Sequence, residues 1–146
     1  MPTGASDRQA ATLVMLVSAA FDTSVRALHE RLPELGFPDI RPVHCTNVFR
    51  VIDADGTRPG ELARRAGVTP QSMAEFVRYL EQAGYVERQP DPGDGRGRIV
   101  RLTARGQAAS AAARQTFAEL EQRWTQAIGP DRLTDVKTSL AAMAER

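Results

Sequence analysis

The first part of the chain repeats hydrophobic positions at helical spacing. Apolar residues recur at steps of three and four from Leu13 to Leu32, which is the repeat of one face of an α-helix. Ser6 and Asp7 precede this repeat, and both residue types favour the N-cap of a helix. The pattern predicts a long amphipathic helix over residues 6 to about 32.

Proline and glycine then interrupt the hydrophobic pattern between residues 33 and 42. Proline lacks a backbone donor and restricts the residue before it, so this stretch is predicted to be a linking turn. A second helix is predicted from about 42 to 53, with Val48 facing inward. Turn residues end it before Gly56.

The middle of the chain has the signals of two short helices in close succession. Pro59–Ala66 opens with proline at the first helical position, and Gly67 is suited to end this helix. Thr69 is the predicted N-cap of the next helix, which continues to about Ala83. One face of that helix is apolar and consists of Met73, Phe76, Val77 and Leu80.

A hairpin follows the two short helices. Strands are predicted at Tyr85–Gln89 and Arg98–Leu102, and the eight residues 90–97 would form a long, flexible tip between them. Thr103 then caps a long alanine-rich helix to about Ile128, and a last helix starts at Asp131. The order predicts a mainly helical α+β fold: one winged helix domain over residues 1–146, with helices at both chain ends.

Polar side chains form a stripe on the helix after Gly67, opposite its apolar face. The stripe follows the spacing i, i+4, i+7 and i+11, and it comprises Gln71, Glu75, Arg78 and Gln82 together with Ser72 and Tyr79. An ordinary helical hairpin is the alternative interpretation of the two helices. The stripe favours a recognition helix, because such a helix presents polar groups to base edges in the major groove.

The charge distribution agrees with a contact to nucleic acid in the same region. The whole chain has a net charge of +1, whereas residues 58–105 contain nine arginines and six acidic residues. Three glycines surround Arg96 in the hairpin, and Arg98 follows on the returning strand. A solvated loop is the alternative; next to two crossing helices, the hairpin is better explained as a wing with Arg96 in the minor groove and Arg98 at phosphates.

These motifs together resemble the MarR family of winged helix-turn-helix regulators. The resemblance covers residues 57–106. It rests on Gly60-Glu-Leu-Ala63, Gly67-Val-Thr-Pro-Gln-Ser-Met73, Leu80-Glu-Gln-Ala-Gly84-Tyr-Val-Glu-Arg88, Asp91-Pro-Gly-Asp94-Gly-Arg96 and Leu102-Thr103-Ala-Arg-Gly106. The family implies a transcriptional regulator, in most cases a repressor. It also implies a homodimer on a palindromic operator, with half-sites ~10 bp apart.

The resemblance also assigns roles to regions and residues. Residues 6–35 and 104–146 would form the dimer, and residues 42–103 would be the DNA-binding region. Asp94 would orient the wing arginines. The major-groove positions fall on Thr69, Gln71, Ser72, Glu75 and Arg78. Glu75 departs from the arginine frequent in the family, and an acid there could accept a hydrogen bond from cytosine N4. Pro70 lacks the amide that another residue could direct to a phosphate.

Members of the family often release DNA when a small aromatic acid binds between the dimer helices and the winged domain. The candidate lining residues for such an effector are Phe21, Arg41, His44 and Phe117. A core or surface role is the alternative for His44. Cys45 is the single cysteine. A redox switch is one interpretation of it, and a buried inert thiol is the one we favour.

Several classes of function lack support in the sequence. One cysteine and two histidines give no zinc cluster, and no catalytic set, metal site or cofactor motif is present. The longest apolar run is too short for a bilayer, and we expect a cytoplasmic, nucleoid-associated protein without membrane contact. Two alternatives stay open: a winged helix that binds protein partners instead of DNA, and a small enzyme with a site at the dimer interface.

Overall fold

The computed structural model describes residues 11–145. Within them lie six helices and one two-stranded antiparallel sheet, in a mainly helical α+β order that confirms the predicted fold class. The elements are α1 (Leu13–Glu34), α2 (Pro42–His44, continued by a π-helical turn over Cys45–Phe49), α3 (Pro59–Ala66), α4 (Pro70–Gln82), β1 (Val86–Asp91), β2 (Asp94–Leu102), α5 (Ala104–Ile128) and α6 (Pro130–Ala144).

The helix ends follow local capping chemistry. Thr12 caps α1, since its hydroxyl oxygen accepts a hydrogen bond from the Met15 amide at 3.4 Å; the predicted caps Ser6 and Asp7 lie outside the described residues. Thr69 caps α4 as predicted and accepts from the Ser72 amide at 3.1 Å. Gly67 ends α3 with a φ of +68°, in the left-handed region that favours glycine. The second predicted helix is shorter than expected. It ends with the π turn over Cys45–Phe49, and only a turn follows, in which the Val51 and Ile52 amides donate to the Val48 carbonyl.

The hydrophobic core joins α1 and α5 to the winged segment, which comprises α3, α4, β1 and β2. The fully buried side chains of α1, α2, α3, α4, the hairpin and the turn before it meet in one cluster, whose largest members are Leu28, Leu32, Val48, Leu62, Met73, Val77, Leu80, Tyr85, Val86 and Val100. The apolar face predicted for α4 supplies three of them. Because these contacts fix α4 on one side only, its other side stays available. No described helix is long and apolar enough to cross a membrane.

The hairpin is longer and tighter than the sequence suggests. Asp91 and Asp94 are paired across a turn of only Pro92 and Gly93, so the prediction of an eight-residue flexible tip is wrong. The Asp91 carboxylate accepts from the Gly93 amide at 2.9 Å, which stabilises the turn locally. Gly95 and Gly97 therefore belong to strand β2, but the pairing register shifts between Pro90 and Asp91, so residues 95–97 bulge out of the ladder.

A third segment pairs with the wing. Thr57 forms an isolated bridge with Val100, through two backbone hydrogen bonds of 2.9 and 2.8 Å. Gly56, at φ +101°, packs so closely that a Cβ there would lie 2.8 Å from the Ile99 side chain. This contact buries Ile99 as well as Val100, although adjacent residues of a strand point to opposite faces.

The junction between wing and α5 is the tightest backbone contact among the glycines of the described residues. Thr103 donates through its hydroxyl to the Gly84 carbonyl at 2.6 Å, and its oxygen accepts from the Gly106 amide at 3.1 Å. A Cβ on Gly106 would lie 2.0 Å from the Tyr85 carbonyl oxygen. The Leu-Thr-x-x-Gly pattern thus has a physical cause: threonine caps α5, and glycine lets the first turn of α5 touch the backbone before β1.

Candidate nucleic-acid interface

The polar stripe of helix α4 forms a continuous exposed surface. Gln71, Glu75 and Arg78 are exposed, whereas Met73 and Val77 on the opposite side are buried. The Thr69 hydroxyl donates to the Ser72 hydroxyl at 3.0 Å, so both residues stand at the N-terminal end of the same surface. The structure therefore brings together all five residues predicted for the major groove.

The Tyr79 side chain does not belong to this exposed surface, although the sequence assigned it to the polar stripe. Its hydroxyl donates to the Asp39 carbonyl at 2.8 Å, and its half-buried ring stacks on His44 with centroids 4.5 Å apart and an angle of 20°. The helical spacing placed Tyr79 at the border of the polar face, and contacts with the segment before α2 turn it towards the protein. Tyr79 links α4 to the α1–α2 connection instead of forming part of the stripe.

The wing presents two exposed arginines beside α4. Arg96 and Arg98 both lie on β2, immediately after the turn. The Asp94 carboxylate accepts a hydrogen bond from the Arg96 backbone amide at 3.1 Å. Asp94 therefore orients the backbone that carries Arg96, and the Arg96 side chain stays exposed.

Arg58 and Asp91 form a connection that sequence reasoning missed. The Arg58 guanidinium donates to the Asp91 carboxylate and lies 4.0 Å from Asp94, so the residue before α3 holds the turn of the wing. The Gly93 amide and then Arg58 lower the pKa of Asp91. The Asp-Pro-Gly turn signal could have identified Asp91, but no local signal marks its partner 33 residues away.

The structure separates the nine arginines of residues 58–105 into two groups. Five form ion pairs with acids of the same chain: Arg58, Arg64, Arg65, Arg88 and Arg105. Within residues 11–145, the other four have no carboxylate within 4.0 Å: Arg78, Arg96, Arg98 and Arg101. All four unpaired cations lie on α4 or the wing. Their distribution is more informative than the net charge of the segment, because it locates the charge available to an anionic partner.

A cavity of about 610 Å³ lies between α1, α2 and α5. Phe21 and Phe117, two of the four residues predicted to line an effector site, border this cavity. Arg41 and His44 do not belong to its wall. The rest of the wall consists of residues that the sequence analysis did not identify, among them Phe49, Arg50, Ala113, Arg114 and Trp124.

His44 is instead a core residue that packs against α4. It is 3% exposed, and its Nδ1 accepts a hydrogen bond from the Arg41 amide at 3.1 Å. Burial, with a smaller effect of the Arg41 charge, lowers the pKa of His44 to about 4. The imidazole is therefore neutral at physiological pH and is part of the packing around Tyr79.

Cys45 faces the same cavity without the features of a reactive thiol. Its side chain is half-buried, and burial raises the pKa of the thiol to about 11. Nucleophilic cysteines have a lowered pKa, so this environment favours the inert interpretation. Among the described residues, no three His, Cys, Asp or Glu side chains are grouped closely enough to hold a metal ion.

Comparison with known sequences finds likeness to one family around α3, α4 and the wing. The MarR family model matches residues 41–97. The HTH-type transcriptional repressor Rv2887 of Mycobacterium tuberculosis is 49% identical over 53 residues, which are 36% of this chain and 38% of that protein. The transcriptional regulator HosA of Escherichia coli O111:H- is 34% identical over 76 residues, 52% of this chain and 56% of HosA. The match thus spans about two fifths to just over half the length of these relatives.

Solved structures extend the likeness to the end helices. The reduced form of MarR from E. coli is similar with a TM-score of 0.75 and 27% identity, over 91% of this chain and 96% of that chain. The repressor CouR, bound to a 23-mer DNA duplex, has a TM-score of 0.70 and 24% identity, over 91% of this chain and 92% of that chain; at this identity the likeness concerns the fold alone. The sequence match over residues 41–97 and the shared architecture around it make the chain similar to the MarR family of winged helix-turn-helix proteins.

Proposed function

We propose that this protein is a sequence-specific DNA-binding transcriptional repressor that acts as a homodimer. The observation that carries the proposal is the coincidence of the exposed polar stripe of α4 with the four unpaired arginines of α4 and the wing. The names of the relatives as transcriptional repressors and regulators support it, as does a neighbour of the same fold bound to duplex DNA.

Helix α4 is the element that enters the major groove in this proposal. Gln71, Ser72 and Thr69 stand at its N-terminal end, which in helix-turn-helix proteins contacts base edges. Glu75 is exposed and can accept from cytosine N4, while Arg78 is free to contact guanine or a phosphate. Arg96 on the wing reaches the adjacent minor groove, where the negative potential is concentrated.

The end helices supply the dimer surface. Helix α6 contains no buried residue in the protomer, and most of the exposed large hydrophobic side chains in the described residues lie on α1, α5 and α6. Such an apolar surface on a soluble domain indicates a partner. A second copy of the chain is the partner we propose, because a two-fold dimer presents two copies of α4 to a palindromic operator.

The Arg96→Ala substitution tests the DNA-binding role directly. We expect at least about a 30-fold loss of affinity for the operator, because each dimer loses two groove contacts of about 1 kcal/mol or more. The measurement is a titration of the duplex upstream of the protein's own gene, at several salt concentrations, with random duplex as competitor.

Arg123→Ala is the matched control for this experiment. It removes the same charge from an exposed position of α5, outside α4 and the wing, and should leave the affinity nearly unchanged. If a folded Arg96→Ala protein keeps the wild-type affinity and salt slope, the wing does not belong to the DNA interface. If the wild-type protein shows no preference for its upstream duplex over random DNA, specific DNA binding is refuted and the protein-interaction alternative gains support.

We further propose that a small aromatic acid in the cavity releases the DNA. Four aromatic side chains line the cavity: Phe21, Phe49, Phe117 and Trp124. Arg50 and Arg114 border it without an ion pair among the described residues. Their guanidinium groups donate to the Thr46 carbonyl and the Ser110 hydroxyl, both at 3.0 Å, and keep further donors for a carboxylate.

Filling the cavity should separate effector binding from DNA binding. We expect Ala113→Leu to weaken the binding of salicylate, a simple phenolic acid, by about tenfold or more, because the added methylenes occupy space that the ligand needs. Calorimetry and release of labelled operator measure the two effects. Ala111→Leu, on the exposed side of α5, is the control; equal salicylate affinity in both variants would place the effector site elsewhere.

A further inference from the structure

Arg41 is a cation from outside the winged segment that contacts the recognition helix. Its side chain is exposed, and its Cζ lies 5.7 Å from the centre of the Tyr79 ring. Within residues 11–145, no carboxylate lies within 4.0 Å of its guanidinium. Asp39, two residues earlier, pairs with Arg105 at 3.3 Å instead. The structure therefore keeps an unneutralised positive charge beside α4.

The position of Tyr79 on the helix shows which side of α4 carries this charge. Tyr79 is four residues after Glu75 and seven after Ser72, and residues at these spacings share one side of a helix. Both belong to the exposed stripe, so Tyr79 marks the flank between the stripe and the core. Its hydrogen bond to the Asp39 carbonyl and its stack on His44 fix the start of α2 against that flank.

A position on the flank of α4 is suited to contact the DNA backbone, because an α-helix and the major groove have similar widths. An α-helix with its side chains is about 10–12 Å wide, and the major groove of B-DNA is about 12 Å wide. A helix that reads bases therefore fills the groove, and groups along its flank meet the sugar–phosphate strand. A guanidinium that covers an aromatic ring with its face keeps the N–H donors of its rim free.

We propose that Arg41 contacts a DNA phosphate on the flank of α4. The inference rests on the proposed DNA binding and adds a contact from the α1–α2 connection to those of α4 and the wing. Tyr79 positions this arginine, so the same aromatic ring that anchors α4 to the core directs a cation towards the DNA backbone. Because the contact is to phosphate, it contributes to affinity without base preference.

The salt dependence of DNA binding tests this contact through the Arg41→Gln variant. Each phosphate contact adds about 0.9 to the slope of log K against log salt concentration, so the slope should fall by about 1.8 for a dimer that loses two contacts. The substitution keeps the backbone amide that donates to His44, so the start of α2 retains its local hydrogen bond. Arg41→Lys should restore the wild-type slope, because it restores the charge.

Arg123→Gln is the matched control, since it removes an exposed cation from α5 far along the chain from α4. Its slope should equal that of the wild type. The proposal is overturned if Arg41→Gln shows the wild-type slope with an unchanged melting temperature, or if it alters only release by salicylate. If the wild-type protein does not bind DNA specifically, the proposed function is refuted instead. The salt slope of binding to random duplex would still show whether Arg41 contacts a phosphate.

Discussion

The Gly106→Ala protein is expected to be destabilised by about 3 kcal/mol, the upper end of the usual cost of overpacking. The new Cβ would lie 2.0 Å from the Tyr85 carbonyl oxygen. That oxygen also accepts a hydrogen bond from the Thr103 amide at 3.0 Å. A backbone atom held by its own hydrogen bond cannot rotate away as a side chain could. Relief of the clash therefore requires α5 to move away from the hairpin.

Thermal unfolding checks this expectation. For a domain of this size, a loss of about 3 kcal/mol lowers the Tm by roughly 10 °C. Gly60→Ala is the matched control, because a Cβ at Gly60 meets no atom within 4 Å and the residue lies within α3; alanine there should be neutral or stabilising by up to about 1 kcal/mol. Equal melting temperatures for the two variants would contradict the close approach of α5 to the hairpin.

Local signals predicted helices α3 and α4 because the ends of both helices are determined locally. Pro59 and Thr69 open α3 and α4 through chemistry contained in one helical turn, and Gly67 ends α3 through its own backbone freedom. The exposed stripe then followed from helical periodicity alone. These features do not depend on which segment packs against the helix, so a single sequence contains them.

Contacts between distant segments could not be predicted in the same way. The bridge of Thr57 to Val100 is one residue long, and the Arg58–Asp91 pair joins segments 33 residues apart, so neither leaves a periodic trace. They nevertheless tie the wing to the residues preceding α3, and they determine that Arg58 is paired while Arg96 is free. The assignment of charges to structure or to function thus needed the tertiary contacts.

The link between α1 and α2 shows a similar limit at the proposed effector site. Proline and glycine indicated a turn at residues 33–42 but not its path. That path places His44 against Tyr79 and leaves Arg41 exposed, so neither reaches the cavity that Phe21 and Phe117 line. Neighbouring residues therefore face different parts of the protein: Cys45 faces the cavity, and His44 faces α4.

A negative charge on the exposed apolar face of α6 is expected to convert the protein into a monomer. Val136, Leu140 and Met143 follow the spacing i, i+4 and i+7, and all three are exposed in the protomer. Leu140→Glu would bury an unpaired carboxylate in the proposed interface, and two-fold symmetry places the change in both subunits. We expect the dimer dissociation constant to rise by at least about 100-fold, which corresponds to roughly 2.7 kcal/mol.

Operator binding should fall together with dimerisation. A dimer holds its second DNA-binding unit at high effective concentration beside the other half-site, and a monomer loses this gain of about 10² to 10⁴ in affinity. Thr138→Glu adds the same charge on the opposite side of α6, and it should leave both properties unchanged. Light scattering after size-exclusion chromatography measures the assembly, and titration of full and half operator duplexes measures the DNA affinity. A Leu140→Glu protein that stays dimeric would exclude this face of α6 from the interface. A monomeric variant that binds the full operator as tightly as the wild type would show that dimerisation does not contribute to operator affinity.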